Sequence, residues 1–397
     1  MTPLLCICVP TYNRAGDLAK LLACLDGELG ERGDVIVQIS DNASPDGTAD
    51  LLTEAVTTRP WLRAHRQDEN LGAVRNLQWL IEHAPAAEYL WLFGDDDLIV
   101  PGALASIVET LKAERPTWLF LPHHWIDDAQ NVVGGSPVPA EVQRFAGAGE
   151  LFRAYDHWLT FLSASILRAD ALRAAGRAVV SDNAYIPLLW YFRAGLEGPC
   201  CVAAHACVLG GQEISWRAQQ HIFLTLHFTA LYDDGLRAGV TAQEFGAALD
   251  GLYRRDYDLL HHWRRIDPEA LAALVERFPQ SEGLRGYLWT IAFEQGRRDV
   301  LGVLTGAARA MGADQRARAL VAAGEEAFAA GDALQAARHF DAAAQLAPTL
   351  VEAWNDLAVA LHHLGHADAL RAVESALFVA PDDADAKSNH AAILQAA

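Results

Sequence analysis

Short apolar strands alternate with amphipathic helices over residues 4–121 of this 397-residue chain. Runs such as Leu4–Val9 and Val35–Ile39 have the continuous apolar pattern of buried strands. Between them, Asp17–Leu29 carries leucines at helical spacing. Because short connections join each strand to the next helix, the pattern predicts βαβ units and a mainly parallel sheet.

Two of the predicted strands end in acidic residues. Val35–Ile39 is followed by Asp41, and the run Glu88–Phe93 is followed by three consecutive carboxylates, Asp95–Asp97. Parallel strands share a direction, so we expect both acidic positions at one edge of the sheet, where open α/β sheets bind ligands. Adjacent carboxylates repel each other unless they share a cation, and their oxygens suit Mg²⁺ or Mn²⁺ together with substrate phosphates. The cluster therefore predicts a metal–diphosphate site, with an acidic turn that caps a helix near Pro101 as the alternative.

The composition narrows the classes of partner. A net charge of −20 argues against nucleic acid as a main partner and against electrostatic binding to anionic lipid. No apolar run is long enough to span a membrane, and no signal peptide is apparent, so we expect a cytoplasmic protein. The cysteines show no C-x-x-C pair and are expected to be reduced core residues, with zinc as a remote alternative. They are Cys6, Cys8, Cys24, Cys200, Cys201 and Cys207.

Four short motifs follow one another in the first 101 residues. They are Cys8-Val9-Pro10-Thr11-Tyr12-Asn13-Arg14, Ser40-Asp41-Asn42-Ala43-Ser44, Asn70-Leu71-Gly72 with Arg75-Asn76, and Gly94-Asp95-Asp96-Asp97 before Pro101. In this order and spacing the series resembles that of the family 2 glycosyltransferases, which have the GT-A fold. The resemblance implies an α/β domain over residues 1–217, with a GT-A type mixed sheet and a Rossmann-like nucleotide-binding half.

The resemblance also implies an inverting transfer of sugar from a nucleotide diphosphate-sugar. Thr11 and Tyr12 would line the base and ribose, Asp41 would accept a hydrogen bond from the base, and Arg75 would approach the diphosphate with its fixed fork of donors. Neighbouring motif residues complete the expected donor-binding set. They are Pro10, Arg14, Asn42 and Asp95.

The acid cluster would then bind Mn²⁺ or Mg²⁺. Counting back from Pro101, Asp96 is the expected direct ligand, and Asp95 would face the ribose or a metal-bound water. Gly94 stands where many family members carry the first acid. This departure leaves a second arrangement open, in which Asp95 and Asp97 form the working pair.

The general base is expected at Asp182. Inverting transfer needs a carboxylate that takes the proton of the acceptor hydroxyl, and the family places it about this far beyond the metal motif, at a helix start. Ser181 stands where the family often has a second acid. The alternative is that Asp182 only caps the helix.

After residue 217 the strand patterns end. Residues 218–312 carry apolar and aromatic residues at helical spacing and are expected to form a helical bundle or linker. Residues 313–397 resemble tetratricopeptide (TPR) repeats with a terminal capping helix, because small residues and prolines recur at the spacing of that unit. Two repeats are fewer than usually stand alone, so we expect the preceding helices to bury the first face.

The sequence therefore predicts a metal-dependent inverting glycosyltransferase without a membrane span. By the resemblance alone, its acceptor would be a bacterial surface polysaccharide or a protein. The TPR surface would bind the acceptor, a protein partner or a second copy of the chain. The alternative from another class is a non-catalytic TPR adaptor that carries a degenerate GT-A domain.

Overall fold

The computed structural model describes residues 2–30, 32–127, 129, 131–178, 186–196, 198–211, 268–277, 279 and 281–396. The chain divides into two compact units, Met1–Ala248 and Leu249–Ala397. Asp182 and most of the region predicted as a bundle or linker lie outside the described residues. The domain boundaries at 217/218 and 312/313 stay predictions.

The first unit is built from strands and helices. Its strands are β1 (Leu5–Thr11), β2 (Val35–Asp41), β3 (Leu62–Arg66), β4 (Tyr89–Leu92), β5 (Leu98–Ile99), β6 (Trp118–Phe120), β7 (His123–Ile126), β8 (Val132–Gly135), β9 (Gln143–Phe145), β10 (Ser165–Arg168), β11 (Cys200–Val202) and β12 (Val208–Gly211). Its helices are α1 (Ala15–Leu29), α2 (Thr48–Thr58), α3 (Ala73–His83), α4 (Ala103–Glu114), α5 (Ala148–Tyr155), α6 (Ala169–Ala178) and α7 (Ile186–Gly195).

The strands form a mixed sheet. In the described residues its order is β3-β2-β1-β4-β10-β6-β11-β9. The strands β3, β2, β1 and β4 are parallel, whereas β10 runs antiparallel between β4 and β6. A second sheet has the order β5-β12-β7-β8. The parallel half follows from the βαβ pattern of the sequence, and the antiparallel β10 makes the sheet mixed, as the predicted fold class requires.

The core of this unit lies on both sides of the parallel strands. Leu5, Ile7 and Val9 of β1 are fully buried, as are Leu18 and Leu21 on the inner face of α1. Burying a side chain of this size stabilises the fold by about 1.5–3 kcal/mol. The packing of β1 against α1 therefore fixes the position at which the loop after β1 begins.

One apolar run does not form a strand along its whole length. The pattern of Leu159–Leu167 suits a strand, but 3₁₀ turns occupy Asp156–Thr160 and Leu162–Ala164, and only Ser165–Arg168 pairs in the sheet. An apolar run cannot distinguish these conformations by periodicity. The turns point the hydroxyl of Ser163 toward the loop after β4.

The described residues of the second unit form helices. They are α8 (Pro268–Arg277), α9 (Glu282–Gln295), α10 (Leu301–Ala310), α11 (Ala313–Ala329), α12 (Ala333–Leu346), α13 (Val351–His363), α14 (Ala369–Val379) and α15 (Ala384–Ala396). A core made largely of alanines joins α11 to α15, and small residues let helices approach closely. At Gly324 an added Cβ would lie 2.5 Å from the ring of Phe340.

The same helix ending occurs three times in the described part of this unit, after α9, α11 and α13. At Gly296 the backbone has a φ of 68°, and the N–H of Arg297 donates to the carbonyl of Ala292. At Gly331 the backbone has a φ of 83°, and at Gly365 a φ of 69°. Each glycine is followed by a residue whose N–H donates to a carbonyl five positions earlier, from Asp332 to Ala327 and from His366 to Leu361. Such left-handed endings favour glycine. The repeat of these contacts indicates that α11–α12 and α13–α14 are equivalent helix pairs.

Two further expectations concern cysteines and membranes. All six cysteines are unpaired, and five of them are buried, as expected for core residues. Burial raises the pKa of the Cys200 and Cys207 thiols to about 12. No helix in the described part of the chain is both long and apolar enough to cross a membrane.

Candidate functional site

The candidate site lies where three adjacent parallel strands end. In the sheet, β1 lies between β2 and β4. Thr11 at the end of β1 is in register with Asp41 at the end of β2, and the N–H of Asn42 donates to the Thr11 carbonyl at 2.9 Å. The Thr11 hydroxyl donates to Asp95 Oδ2 at 2.7 Å. The two acidic positions therefore share one edge of the sheet, as the strand pattern predicted.

Asp95 and Asp96 converge on one guanidinium. Arg14 Nη1 lies 3.4 Å from Asp95 Oδ1 and also pairs with Asp96 Oδ2. The Asp95 side chain is 9% exposed and that of Asp96 is 41% exposed. Asp96 is thus the carboxylate of the pair that is open to solvent, and the Arg14 cation offsets the repulsion between the two acids.

Asp97 turns the other way and lies beneath the turn. Its Oδ2 accepts a 2.5 Å hydrogen bond from the Ser163 hydroxyl. The same hydroxyl accepts the N–H of Gly94 at 2.8 Å, and the indole of Trp91 donates to the Ser163 carbonyl at 2.7 Å. A Cβ at Gly94 would lie 2.7 Å from Asp97 Oδ2. The absence of an acid at position 94 leaves the space in which Asp97 is held.

The burial of these acids changes their ionisation. Burial raises the pKa of Asp95 to about 6, although the Thr11 hydroxyl and the Arg14 charge work in the opposite direction. Burial and the Asp96 charge raise the pKa of Asp97 to about 8. Burial lowers the pKa of Arg14, but the Asp96 and Asp95 carboxylates outweigh it and the net shift is upward. At neutral pH Asp97 is therefore mostly protonated, which suits a carboxyl surrounded by protein.

Asp41 is fully buried, and both of its oxygens have donors. Oδ1 accepts the N–H of Ser44 at 2.9 Å, and Oδ2 accepts Arg66 Nη1 at 2.6 Å. Arg66 also donates to the Ser44 carbonyl at 2.9 Å, while its side chain is 48% exposed. Arg66 was not predicted as a site residue from the sequence. Arg66 lies at the end of β3, the strand that pairs with β2, and this position could have indicated its contact with Asp41.

Asn42 links the second motif to the third. Its Oδ1 accepts the N–H of Leu71 at 2.9 Å, and its Nδ2 donates to Asn70 Oδ1 at 2.8 Å. Gly72 follows with a φ of 80°, a conformation that side chains rarely adopt, and α3 begins at the next residue. Asn42 thereby fixes the position at which α3 starts.

The remaining expected site residues line the same edge. Tyr12 is 44% exposed, Pro10 is half-buried in β1, and Arg75 is exposed in the first turn of α3. The N–H of Asn13 donates to Ser44 Oγ at 2.8 Å, which joins the loops after β1 and β2. The expected base, Asp182, lies outside the described residues.

The described residues contain no group of three or more His, Cys, Asp or Glu side chains arranged to hold a metal ion. Two carboxylates, Asp95 and Asp96, do converge on a single cation. Mg²⁺ is commonly held by one or two carboxylates together with substrate phosphates and water. The acid pair therefore fits a metal whose other ligands come from a substrate.

Comparison with protein families gives a match over part of the chain. Residues 6–148 match the model of glycosyl transferase family 2. Abequosyltransferase RfbV of Salmonella typhimurium is 32% identical over 117 residues, which are 29% of this chain and 35% of that protein. The chain thus spans about a third of the length of this curated relative.

Comparison with solved structures supports the fold. TarS 1-349 of S. aureus in complex with UDP-GlcNAc aligns with a TM-score of 0.51 at 12% identity, over 91% of this chain and 92% of that chain. Its complex with UDP aligns with a TM-score of 0.50 at 14% identity, over 76% and 83% of the two chains. The fold is a mixed α/β domain of the GT-A type followed by a helical region, as predicted.

Proposed function

We propose that the glycosyl transferase family 2 domain matched at residues 6–148 makes this protein a glycosyltransferase with a nucleotide diphosphate-sugar as donor. One observation carries the proposal. Thr11, Asp41 and Asp95 meet at the carboxyl ends of adjacent parallel strands, which is the edge where open α/β sheets bind nucleotides.

The donor nucleotide binds along this edge. Tyr12 presents an exposed ring for the base and ribose, and Asp41 accepts from the base after Arg66 has turned away from its Oδ2. Pro10 and Asn42 shape the two loops, and the exposed Arg75 approaches the diphosphate. A guanidinium suits this role because its donors match phosphate oxygens in pairs.

A divalent ion, Mn²⁺ or Mg²⁺, would be held by Asp96 and Asp95. When bound, it would neutralise the negative charge of the departing diphosphate. The buried Asp97, hydrogen-bonded to Ser163, supports the turn instead of holding the ion. This favours the Asp95–Asp96 pair over a pair of Asp95 and Asp97.

The transfer inverts the anomeric centre. The acceptor oxygen bonds to the anomeric carbon, the bond from that carbon to the diphosphate breaks on the opposite face, and Asp182 takes the proton of the acceptor hydroxyl. A single carboxylate base suffices for this step. The acceptor hydroxyl belongs to a bacterial surface polysaccharide or a protein, and the enzyme is cytoplasmic.

The helical unit is a TPR module that recruits the acceptor, a partner or a second copy. Support comes from two of the equivalent helix endings, at Gly331 and Gly365, which are 34 residues apart, because 34 residues is the TPR period. Trp289 of α9 stacks on Trp354 at a centroid distance of 5.1 Å and so covers part of the helix pairs. A cavity of about 580 Å³ remains among α9, α12, α13 and α14.

The test is a thermal-shift titration of the full chain with UDP-, GDP-, dTDP- and CDP-sugars, with and without Mn²⁺, followed by measurement of donor hydrolysis. A ligand that binds the native state raises the melting temperature. We expect one donor class to do so in a Mn²⁺-dependent way. Asp96→Asn should lose this dependence, and Asp182→Asn should abolish transfer while leaving nucleotide affinity nearly intact.

Asp50→Asn, an exposed acid on α2, is the control with the same charge change. If no donor binds with or without Mn²⁺, the adaptor function replaces the enzyme. If Asp182→Asn retains full turnover, the base has been assigned to the wrong residue.

A further inference from the structure

The cation that occupies the acid pair in this structure belongs to the protein. Arg14 Nη1 contacts Oδ1 of Asp95 and Oδ2 of Asp96 at the same time. A divalent ion bound between Asp95 Oδ1 and Asp96 Oδ2 would take the position that the guanidinium now occupies. Two cations this close repel each other, so the guanidinium and a metal ion compete for one position.

Protein groups fix the position of Asp95 in the acid pair. Asp95 is fixed from one side by the Thr11 hydroxyl and from the other by Arg14. Arg14 precedes α1, where its carbonyl accepts the N–H of Leu18 at 3.0 Å. The backbone of Arg14 is therefore anchored, while the side chain is 30% exposed. Ion pairs that reach solvent are weak enough to exchange.

We propose that Arg14 is the resident counter-ion of Asp95 and Asp96, and that a divalent ion enters the site only by displacing its guanidinium. This inference rests on the proposed metal-dependent function and adds to it the residue that sets metal affinity. It makes Arg14 a positioning residue for the two acids, in addition to a member of the donor-binding loop. The intrinsic affinity for metal without donor is consequently kept low.

The test measures Mn²⁺ binding to the full chain without nucleotide, from the electron paramagnetic resonance signal of free Mn²⁺. Arg14→Gln removes the competing charge and should bind Mn²⁺ about tenfold more tightly than the wild type. Arg14→Lys keeps a cation at the position and should bind Mn²⁺ with close to the wild-type affinity. Circular dichroism checks that each variant is folded.

Two further variants complete the design. Arg59→Gln removes an arginine that pairs with Asp26 and belongs to none of the four motifs, and it should leave Mn²⁺ affinity unchanged. Asp96→Asn should lose Mn²⁺ binding. Equal or weaker binding by Arg14→Gln, with binding still dependent on Asp96, would overturn this inference alone. Absence of Mn²⁺ binding in every variant would overturn it together with the metal site of the proposed function.

Discussion

At the scale of single residues, the loop after β4 owes its shape to Gly94. The missing side chain leaves room for Asp97 to fold back beneath the turn, where Ser163 holds it. With Asp97 turned inward, Asp95 and Asp96 are the acids that face Arg14. Neighbouring acids in one motif thus have different environments and different chemistry.

The buried Asp97 should make stability depend on pH. Its pKa is raised to about 8 in the folded protein, whereas an unfolded Asp ionises near pH 4. The folded state therefore binds this proton more tightly, and its contribution to stability is complete below about pH 4 and is lost as the pH rises to about 8. Asp97→Asn keeps a neutral side chain of the same shape. We expect the variant to melt higher than the wild type at pH 8.5 and close to it at pH 5.

Thermal melting across pH 5 to 8.5 measures this difference. In a unit of this size each kcal/mol corresponds to about 2–4 °C. For each protein, the melting temperature at pH 5 is compared with that at pH 8.5. This comparison within one protein controls for any loss of packing caused by the substitution. If the melting temperature of Asp97→Asn falls with pH as steeply as that of the wild type, Asp97 is ionised in the folded state at neutral pH.

Some of these residues could be found from sequence and others could not. Asp41 and Asp95 were predicted to share an edge because each follows a buried strand, and parallel strands end together. Arg66 and Ser163 were not predicted as partners of these acids. Their contacts join residues 25 and 66 positions apart, and a pattern of local spacing carries no information on such pairs.

At the scale of elements, continuous apolar runs predicted β1, β2 and β4 well, because strands buried on both faces have no polar alternation. The same reasoning failed for the 3₁₀ turns at Asp156–Thr160 and Leu162–Ala164. Ser163 is a polar residue in that run, and from the turn it forms two hydrogen bonds to the loop after β4. These hydrogen bonds belong to the tertiary structure, so the local pattern of apolar residues does not predict them.

Two glycines of the helical unit should respond in opposite ways to substitution by alanine, because only Gly324 lies at the contact between α11 and α12. Alanine favours a helix over glycine by about 1 kcal/mol. Gly306 in α10 is exposed, and an added Cβ would meet nothing within 4 Å, so Gly306→Ala should stabilise the helical unit by up to about 1 kcal/mol. At Gly324 the Cβ would lie 2.5 Å from Phe340, so Gly324→Ala should destabilise it by about 1–3 kcal/mol.

Urea unfolding followed by circular dichroism measures both changes. Gly306→Ala serves as the matched control, since it makes the same substitution in a helix of the same unit. If Gly324→Ala is as stable as Gly306→Ala, α11 and α12 can move apart without a loss of free energy of unfolding.

At the scale of the whole molecule, the division into Met1–Ala248 and Leu249–Ala397 predicts two melting transitions. Each unit has its own core, formed by the sheet in one and by alanine-rich helices in the other. A nucleotide-sugar with Mn²⁺ should raise the transition of the first unit only, because ligands stabilise what they bind. Gly324→Ala should lower the other transition only.

Differential scanning calorimetry of the full chain separates these responses. A single transition that moves with both the ligand and the substitution would show that the two units unfold together. The sequence indicated a change of architecture near residue 217, where strand patterns end. The sequence could not define how the chain divides after residue 217. The aromatic residues of that region are equally compatible with a helical bundle and with a linker.

The buried thiols have a practical consequence for spectroscopy. Alkylating reagents attack the thiolate, and the pKa of Cys200 and Cys207 is raised to about 12 by burial. A cysteine introduced at an exposed position such as Glu54 on α2 would therefore react first. Fluorescent or spin labels could be attached there with the native cysteines left in place.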